Sequence, residues 1–132
     1  MIVIEFPLDW RLGKNKSKFI KIENGKARMK KSYDHQGLQE DLVTLIRGKM
    51  NYEKWCPEKK KTWFKIVVYK KDKNGDAVNL IDAVSDCVQF GIGQNDCWFA
   101  AITTWVICPK EEEKIVISIS QNLNELLPIE GE

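Results

Sequence analysis

Apolar and polar residues follow two periods along this chain, and the periods predict strands and helices in turn. Apolar side chains alternate through Met1–Leu8, which predicts a strand that ends at Pro7. In His35–Arg47 and in Asp76–Gln89 the apolar positions recur every three or four residues, which predicts two amphipathic helices. Segments rich in β-branched and aromatic residues predict three further strands: Trp63–Tyr69, Trp98–Ile107 and Lys114–Ser120.

Turn signals connect these elements and indicate the fold class. Asn24–Gly25 separates two short strand segments, Phe19–Ile22 and Ala27–Met29, and predicts a small ribbon. The charged turn Pro109–Glu113 predicts that the last two strands pair as a hairpin. The order strand, ribbon, helix, strand, helix, strand, strand predicts an α+β fold, in which a mixed β-sheet packs against two main helices. No linker or repeat divides the sequence, so a single domain over residues 1–132 is expected.

Composition excludes several classes of protein. No run approaches the ~18–20 consecutive apolar residues of a membrane span, and the N-terminus lacks the basic start of a signal peptide. No cysteine pair has a zinc-ligand spacing, and the chain has a single histidine. Apolar neighbours around three of the four cysteines favour buried free thiols in a cytoplasmic protein, with a disulfide framework as the alternative. The cysteines are Cys56, Cys87, Cys97 and Cys108.

The net charge of +2 conceals three strongly charged stretches. Arg11–Lys31 carries nine basic and one acidic residue, Lys54–Lys73 carries eight and two, and Asp76–Glu132 carries two and ten. A basic surface suits a polyanion such as DNA, because each neutralised phosphate releases a counterion; a solvated lysine-rich face is the alternative. Trp10 is expected to anchor the first basic loop by packing, with base stacking as the alternative. The predicted phosphate contacts are Arg11, Lys14, Lys16, Lys18, Lys70, Lys71 and Lys73.

The acidic residues that follow the second basic stretch are the candidates for chemistry. Asp76 directly follows a predicted strand and turn, so it is expected to cap a helix N-terminus, which contributes ~1 kcal/mol. The functional alternative is that Asp76 and Asp96 converge at the end of the sheet and bind a divalent cation. Magnesium prefers a few carboxylates completed by water, and it activates water for phosphodiester hydrolysis. Asp82 and Asp86 are four residues apart and share a helix face, which is typical of solvated surface.

The spacing of these residues matches a known motif. Asp76, Asn79, Leu80 and Asp86 are followed by Asn95-Asp96 after a glycine-containing loop. This pattern resembles the RusA-type Holliday-junction resolvases, small dimeric endonucleases often carried by phages and prophages. Their motif reads Asp-x-Asp-Asn-Leu-x-Lys, then three residues and another Asp, with a later Asp-Asp pair. The order of the predicted elements also follows that family over most of the chain.

The resemblance implies a function and a set of site residues. The function is a Mg²⁺-dependent, structure-selective endodeoxyribonuclease that resolves Holliday junctions and other branched DNA by phosphodiester hydrolysis, acting as a homodimer. By this resemblance Asp76 and Asp96 bind the metal, while Asn79 and Asp86 organise the site.

Asn95 replaces the first Asp of the later pair, and two further departures from the family motif bear on function. Val78 replaces the second metal-binding Asp, and Asp82 replaces the Lys thought to assist catalysis. Loss of one carboxylate is expected to weaken magnesium binding, and Asp72 or Asp82 is a candidate for the missing ligand. One alternative function is therefore a RusA-like protein that binds branched DNA without nuclease activity. Another is a protein-interaction module whose acidic C-terminal half faces a basic partner.

Overall fold

The computed structural model describes the backbone of residues 1–13, 18–23, 26–31 and 33–129, and the side chains of residues 1–13 and 36–129. Every strand and helix predicted from the sequence is present, with bounds shifted by a few residues. The elements in chain order are β1 (Ile2–Pro7), β2 (Lys18–Glu23), β3 (Lys26–Lys31), α1 (Tyr33–Glu53), β4 (Thr62–Lys70), α2 (Ile81–Ile92), β5 (Phe99–Ile107) and β6 (Lys114–Ser120).

Four of the strands form one mixed sheet in the order β1-β6-β4-β5, while β2 and β3 form a separate antiparallel ribbon. Strand β4 is parallel to β5 and antiparallel to β6, and β6 is antiparallel to β1. This sheet and the two helices confirm the predicted α+β fold. The predicted hairpin between the last two strands is wrong, because β4 lies between β5 and β6. Strand β4 takes this central position because its residues are buried or half-buried along its whole length.

One face of the sheet, here called the front face, packs against the helices and forms the core. Ile4, Ile117 and Ile66 pair in a row across β1, β6 and β4, and none is more than 4% exposed. Burying each such side chain fully contributes about 1.5–3 kcal/mol. Strand β5 is the least covered strand of the four-stranded sheet, since none of its residues is fully buried. The core residues from the helices are Leu42, Ile46, Ala83, Val84, Cys87, Val88 and Ile92.

Both helices differ from the sequence prediction at one end. Helix α1 continues past Arg47, its predicted last residue, through Gly48 to Glu53. The continuation is stabilised because Met50 packs against the core and Lys49 lies 3.7 Å from Glu53 in an i,i+4 ion pair. Helix α2 begins at Ile81, after a separate 3₁₀ turn, and ends at Gly93 in the left-handed conformation typical of a helix C-terminus.

The cysteines only partly follow the expectation. All four are free, but only Cys87 is buried, while Cys56 and Cys97 are exposed. Cys97 is exposed because it lies in the 3₁₀ turn Asp96–Trp98 ahead of β5, outside the core. Neither of the two helices in the described residues is long and apolar enough to cross a membrane.

Candidate functional site

Asp76 lies at the N-terminus of the 3₁₀ turn Ala77–Leu80, between β4 and α2. One oxygen of its carboxylate, Oδ1, accepts a hydrogen bond from the backbone N–H of Val78 at 3.0 Å, which confirms the predicted capping role. Burial of Ala77 and Leu80 fixes the turn against the core, while Asp76, Val78 and Asn79 remain exposed. The motif therefore presents its polar members to solvent from a fixed backbone.

The turn between β4 and Asp76 is held by a buried lysine. Lys70 is 4% exposed, and its Nζ donates to the carbonyl oxygens of Gly75, Lys73 and Asn74 at 2.9, 3.3 and 3.4 Å. The same Nζ lies 4.5 Å from the ring centroid of Trp105, a cation–π contact. Since the ammonium is engaged within the protein, a direct phosphate contact by Lys70 would require it to leave these partners. That contact stays a prediction.

The loop Trp10–Gly13 packs against the segment that carries Asp76. A Cβ atom added at Gly75 would lie 2.4 Å from Cζ2 of Trp10, so the indole rests directly on the glycine. A Cβ atom at Gly13 would lie 3.2 Å from the carbonyl oxygen of Asn79. Trp10 thus anchors its loop by packing, as expected. The start of the first basic stretch is therefore next to the end of the second.

Arg11 is the basic residue of the loop Trp10–Gly13. Its Nη2 lies 2.6 Å from Oδ2 of Asp9, and the guanidinium hydrogen bonds hold the pKa of Asp9 below its usual value. Arg11 therefore reaches the surface with part of its charge balanced. Lys14 and Lys16 lie outside the described residues, and the side chain of Lys18, at the start of β2, also lies outside them.

A hollow of about 340 Å³ lies beside Asp76. Its wall combines the exposed carboxylate with two exposed apolar side chains, since Val78 is 61% exposed and Trp105 is 45% exposed. Lys73 is exposed at its rim. The lining residues are Lys70, Lys73, Gly75, Asp76, Ala77, Val78, Thr103, Thr104 and Trp105.

Asp96 lies near the other end of β5. It is exposed in the turn Asp96–Trp98, three residues before Phe99, the first residue of the strand. The hollow meets β5 only at Thr103–Trp105. Thr103 is four residues beyond Phe99, or about 13 Å along a strand. The structure thus does not place Asp96 among the residues around Asp76.

Asp86 and Asp82 also lie outside the hollow. Asp86 lines a groove of about 360 Å³ between α1 and α2, together with Gln39, Arg47 and Phe90. Asp82 is exposed in the first turn of α2. Asp72, the other candidate ligand, accepts a hydrogen bond from the backbone N–H of Asn74 at 2.9 Å and shapes the turn after β4. Of the motif residues, the structure brings Asp76, Val78 and Asn79 together on one turn.

The number of acidic side chains around Asp76 bears on the predicted metal site. Among the described residues, Asp76 is the only carboxylate that lines the hollow. Nowhere in the part of the chain that the structure describes do three or more His, Cys, Asp or Glu side chains form a group able to hold a metal ion. The hollow of one chain therefore supplies one carboxylate ligand, and shared coordination of magnesium by Asp76 and Asp96 stays a prediction.

The second basic stretch is divided between two ends of the molecule. Lys71 and Lys73 are exposed after β4, close to Asp76, whereas Lys59–Lys61 precede β4. The eight residue steps from Thr62 to Lys70 correspond to about 26 Å of strand. The charge of the sequence stretch thus contributes to two separate surfaces.

Trp105 was not singled out from the sequence, and Lys70 was singled out as a phosphate contact and not as a buried residue, although a pattern pointed to the position of both. Alternation along β4 places Lys70 on the same face as Phe64, Ile66 and Val68, which predicts an inward-pointing lysine. Trp105 pairs with Val68 and so shares that face. The observed sheet order shows that Trp105 lies on an outer strand. The sequence analysis missed this because it predicted a hairpin of β5 with β6.

Comparison of the chain with protein-family models and with curated proteins gives no match.

Proposed function

We propose that this chain binds branched DNA, such as four-way junctions, at the edge formed by the loop Trp10–Gly13, the turn after β4 and the hollow around Asp76. The observation that carries the proposal is the packing of Trp10 on Gly75. This contact joins the start of one basic stretch to the end of the other, so that the described residues Arg11 and Lys73 lie at the edge that carries the motif resembling the RusA-type resolvases. DNA phosphates are the ligands that such a concentration of lysine and arginine suits.

Magnesium-dependent cleavage of the bound DNA is a second candidate function, and the exposed carboxylate of Asp76 favours it. Magnesium is commonly bound by one or two protein carboxylates, with water and substrate phosphates as the remaining ligands. Asp76 lies in the hollow with Lys73 at its rim. Val78, which replaces the family's second metal-binding Asp, offers no ligand. Branched-DNA binding is therefore the function that the hollow supports better.

The test of binding compares a four-way junction with a linear duplex of the same arm sequence. Fluorescence anisotropy at several salt concentrations should give tighter binding to the junction. The affinity should fall with salt at a slope of about −0.9 per neutralised phosphate on a log–log plot. Equal affinities for the two DNAs would remove the preference for branched DNA. Absence of salt-dependent binding to either would overturn the proposal.

The same junction, incubated with and without Mg²⁺, separates the two candidate functions. If the protein cleaves, Asp76→Asn should abolish cleavage and leave junction binding intact, because asparagine preserves the cap but is a poor magnesium ligand. Asp41→Asn, on the exposed side of α1, is the matched control and should change neither property. Tight binding without cleavage by the natural protein would identify a branched-DNA-binding protein, and cleavage that survives Asp76→Asn would place the active site elsewhere.

A further inference from the structure

Trp105 occupies an unusual position on the front face of the sheet. It is the last member of a row that runs Phe6, Ile115, Val68, Trp105 across the four strands. The first three are at most 5% exposed and belong to the core, whereas Trp105 is 45% exposed. The core thus covers this row on β1, β6 and β4 and leaves its end on β5 exposed. An exposed tryptophan on a rigid strand is well suited to pack against a ligand.

The ring of Trp105 is held in place from one side. Its face lies over the ammonium of Lys70, 4.5 Å from Nζ to the ring centroid, and Lys70 is itself buried. The three carbonyl oxygens around that ammonium fix the cation and, through it, the ring. Trp105 is nevertheless 45% exposed, so part of its side chain faces the solvent. A platform fixed in this way loses little side-chain entropy when a ligand stacks on it.

The surroundings of Trp105 suit one nucleotide. The hollow of about 340 Å³ beside the ring falls within the roughly 300–1,000 Å³ of small-ligand sites. Lys73 is exposed and lines it, so a cation lies within reach of a phosphate that flanks a base. Aromatic rings next to lysines are the recurrent arrangement for unstacked bases, because every base has a π-face.

We propose that Trp105 is the stacking platform for an unstacked nucleobase at the branch point of the DNA. The inference rests on the proposed function and deepens it, because it names the feature that distinguishes branched from linear DNA. Bases inside a linear duplex are covered on both faces by their neighbours, whereas pairs at a branch point can open and present a face. An exposed ring beside phosphate contacts would therefore favour the junction.

The test uses four-way junctions that carry 2-aminopurine either at the branch point or in the middle of an arm. Stacking on Trp105 should change the fluorescence of the branch-point probe when the natural protein binds and leave the arm probe nearly unchanged. Equal responses of the two probes would overturn the inference without any variant. If the natural protein binds no DNA, the proposed function fails and the platform fails with it.

Two substitutions at Trp105 and one matched control complete the experiment. Trp105→Leu should weaken junction binding by about 5- to 150-fold, the range expected for one base–aromatic stack, and affect linear duplex much less. Trp105→Phe should retain most of the affinity, because it keeps an aromatic face over Lys70. Trp98→Leu removes a tryptophan of similar exposure (41%) outside the hollow and should have little effect.

Three results would contradict the platform. One is an unchanged ratio of junction to duplex affinity in Trp105→Leu. Another is an equal loss in Trp98→Leu. The third is dissociation of an oligomer by Trp105→Leu with DNA affinity preserved, which would make the exposed ring a contact with a second copy of the chain. If Trp105→Leu fails to fold, as judged by circular dichroism, Trp105→Phe and the 2-aminopurine probes still test whether a base stacks on Trp105.

Discussion

At the scale of single residues, the main lesson comes from Lys70. In the sequence it is one of eight basic residues in Lys54–Lys73 and was predicted to contact phosphate. In the structure its ammonium is surrounded by three carbonyl oxygens and the ring of Trp105. Net charge along a sequence does not show which lysines point inward. Strand alternation assigns each lysine to a face, but both faces of β4 are covered, so Lys65 and Lys70 are both buried, whereas Lys71 follows the strand and is exposed.

Lys70→Met tests this internal role. Methionine preserves much of the side-chain volume but removes the donor, which leaves three carbonyl groups of the turn without their partner. Hydrogen bonds to charged groups contribute about 1.5–3 kcal/mol each, and the carbonyls can rotate partly to water. We therefore expect the free energy of unfolding to fall by about 2 kcal/mol, measured by urea denaturation.

Lys71→Met is the matched control, because Lys71 is the exposed neighbour whose backbone N–H, and not its ammonium, bonds to Glu113. Its unfolding free energy should change by less than about 0.5 kcal/mol. A loss for Lys70→Met as small as that of the control would contradict the internal role.

At the scale of elements, the sequence predicted every strand and helix and the ribbon of β2 and β3, but not the neighbours within the four-stranded sheet. The hairpin between β5 and β6 was predicted because the strands are adjacent in sequence. The apolar run of β4 outweighs that proximity, because a strand with both faces buried needs a neighbour on each side. The predicted end of α1 at Arg47 is wrong, since tertiary contacts of Met50 offset the ~1 kcal/mol cost of the internal Gly48.

Gly75→Ala tests how the first loop is held against the turn after β4. Gly75 has φ +85° and touches the indole of Trp10, whereas Gly93 has φ +72° and open space around it. Alanine in the left-handed region costs about 1–2 kcal/mol at either position. At Gly75 the new methyl must also displace Trp10. Gly75→Ala should therefore destabilise the protein more than Gly93→Ala and also weaken junction binding, measured by urea denaturation and anisotropy. Equal effects of the two substitutions would mean that the Trp10 contact has no role in either property.

At the scale of the whole molecule, the candidate site was predictable only in part. Sequence spacing placed Asp76 correctly as a cap, and the Asp76–Asn79 turn does present the motif to solvent. The distance between Asp76 and Asp96 depends instead on the direction in which α2 leads the chain back along the sheet. The helix has 12 residues, or about 18 Å of length, and no local pattern shows where its two ends lie relative to β5.

The division of the second basic stretch by β4 gives the last prediction. Lys71→Ala with Lys73→Ala removes two charges beside Asp76, and Lys59→Ala with Lys60→Ala removes two at the far end of β4. Both double variants lower the net charge equally, so general electrostatic attraction changes alike. If DNA binds at the Asp76 edge, only the first variant should lose junction affinity, and its salt slope should become shallower by about 2. Anisotropy titrations at several salt concentrations measure both quantities. A larger change for Lys59 and Lys60 would move the interface to the Asp96 end of the sheet, and equal changes would mean that the DNA spans the length of β4.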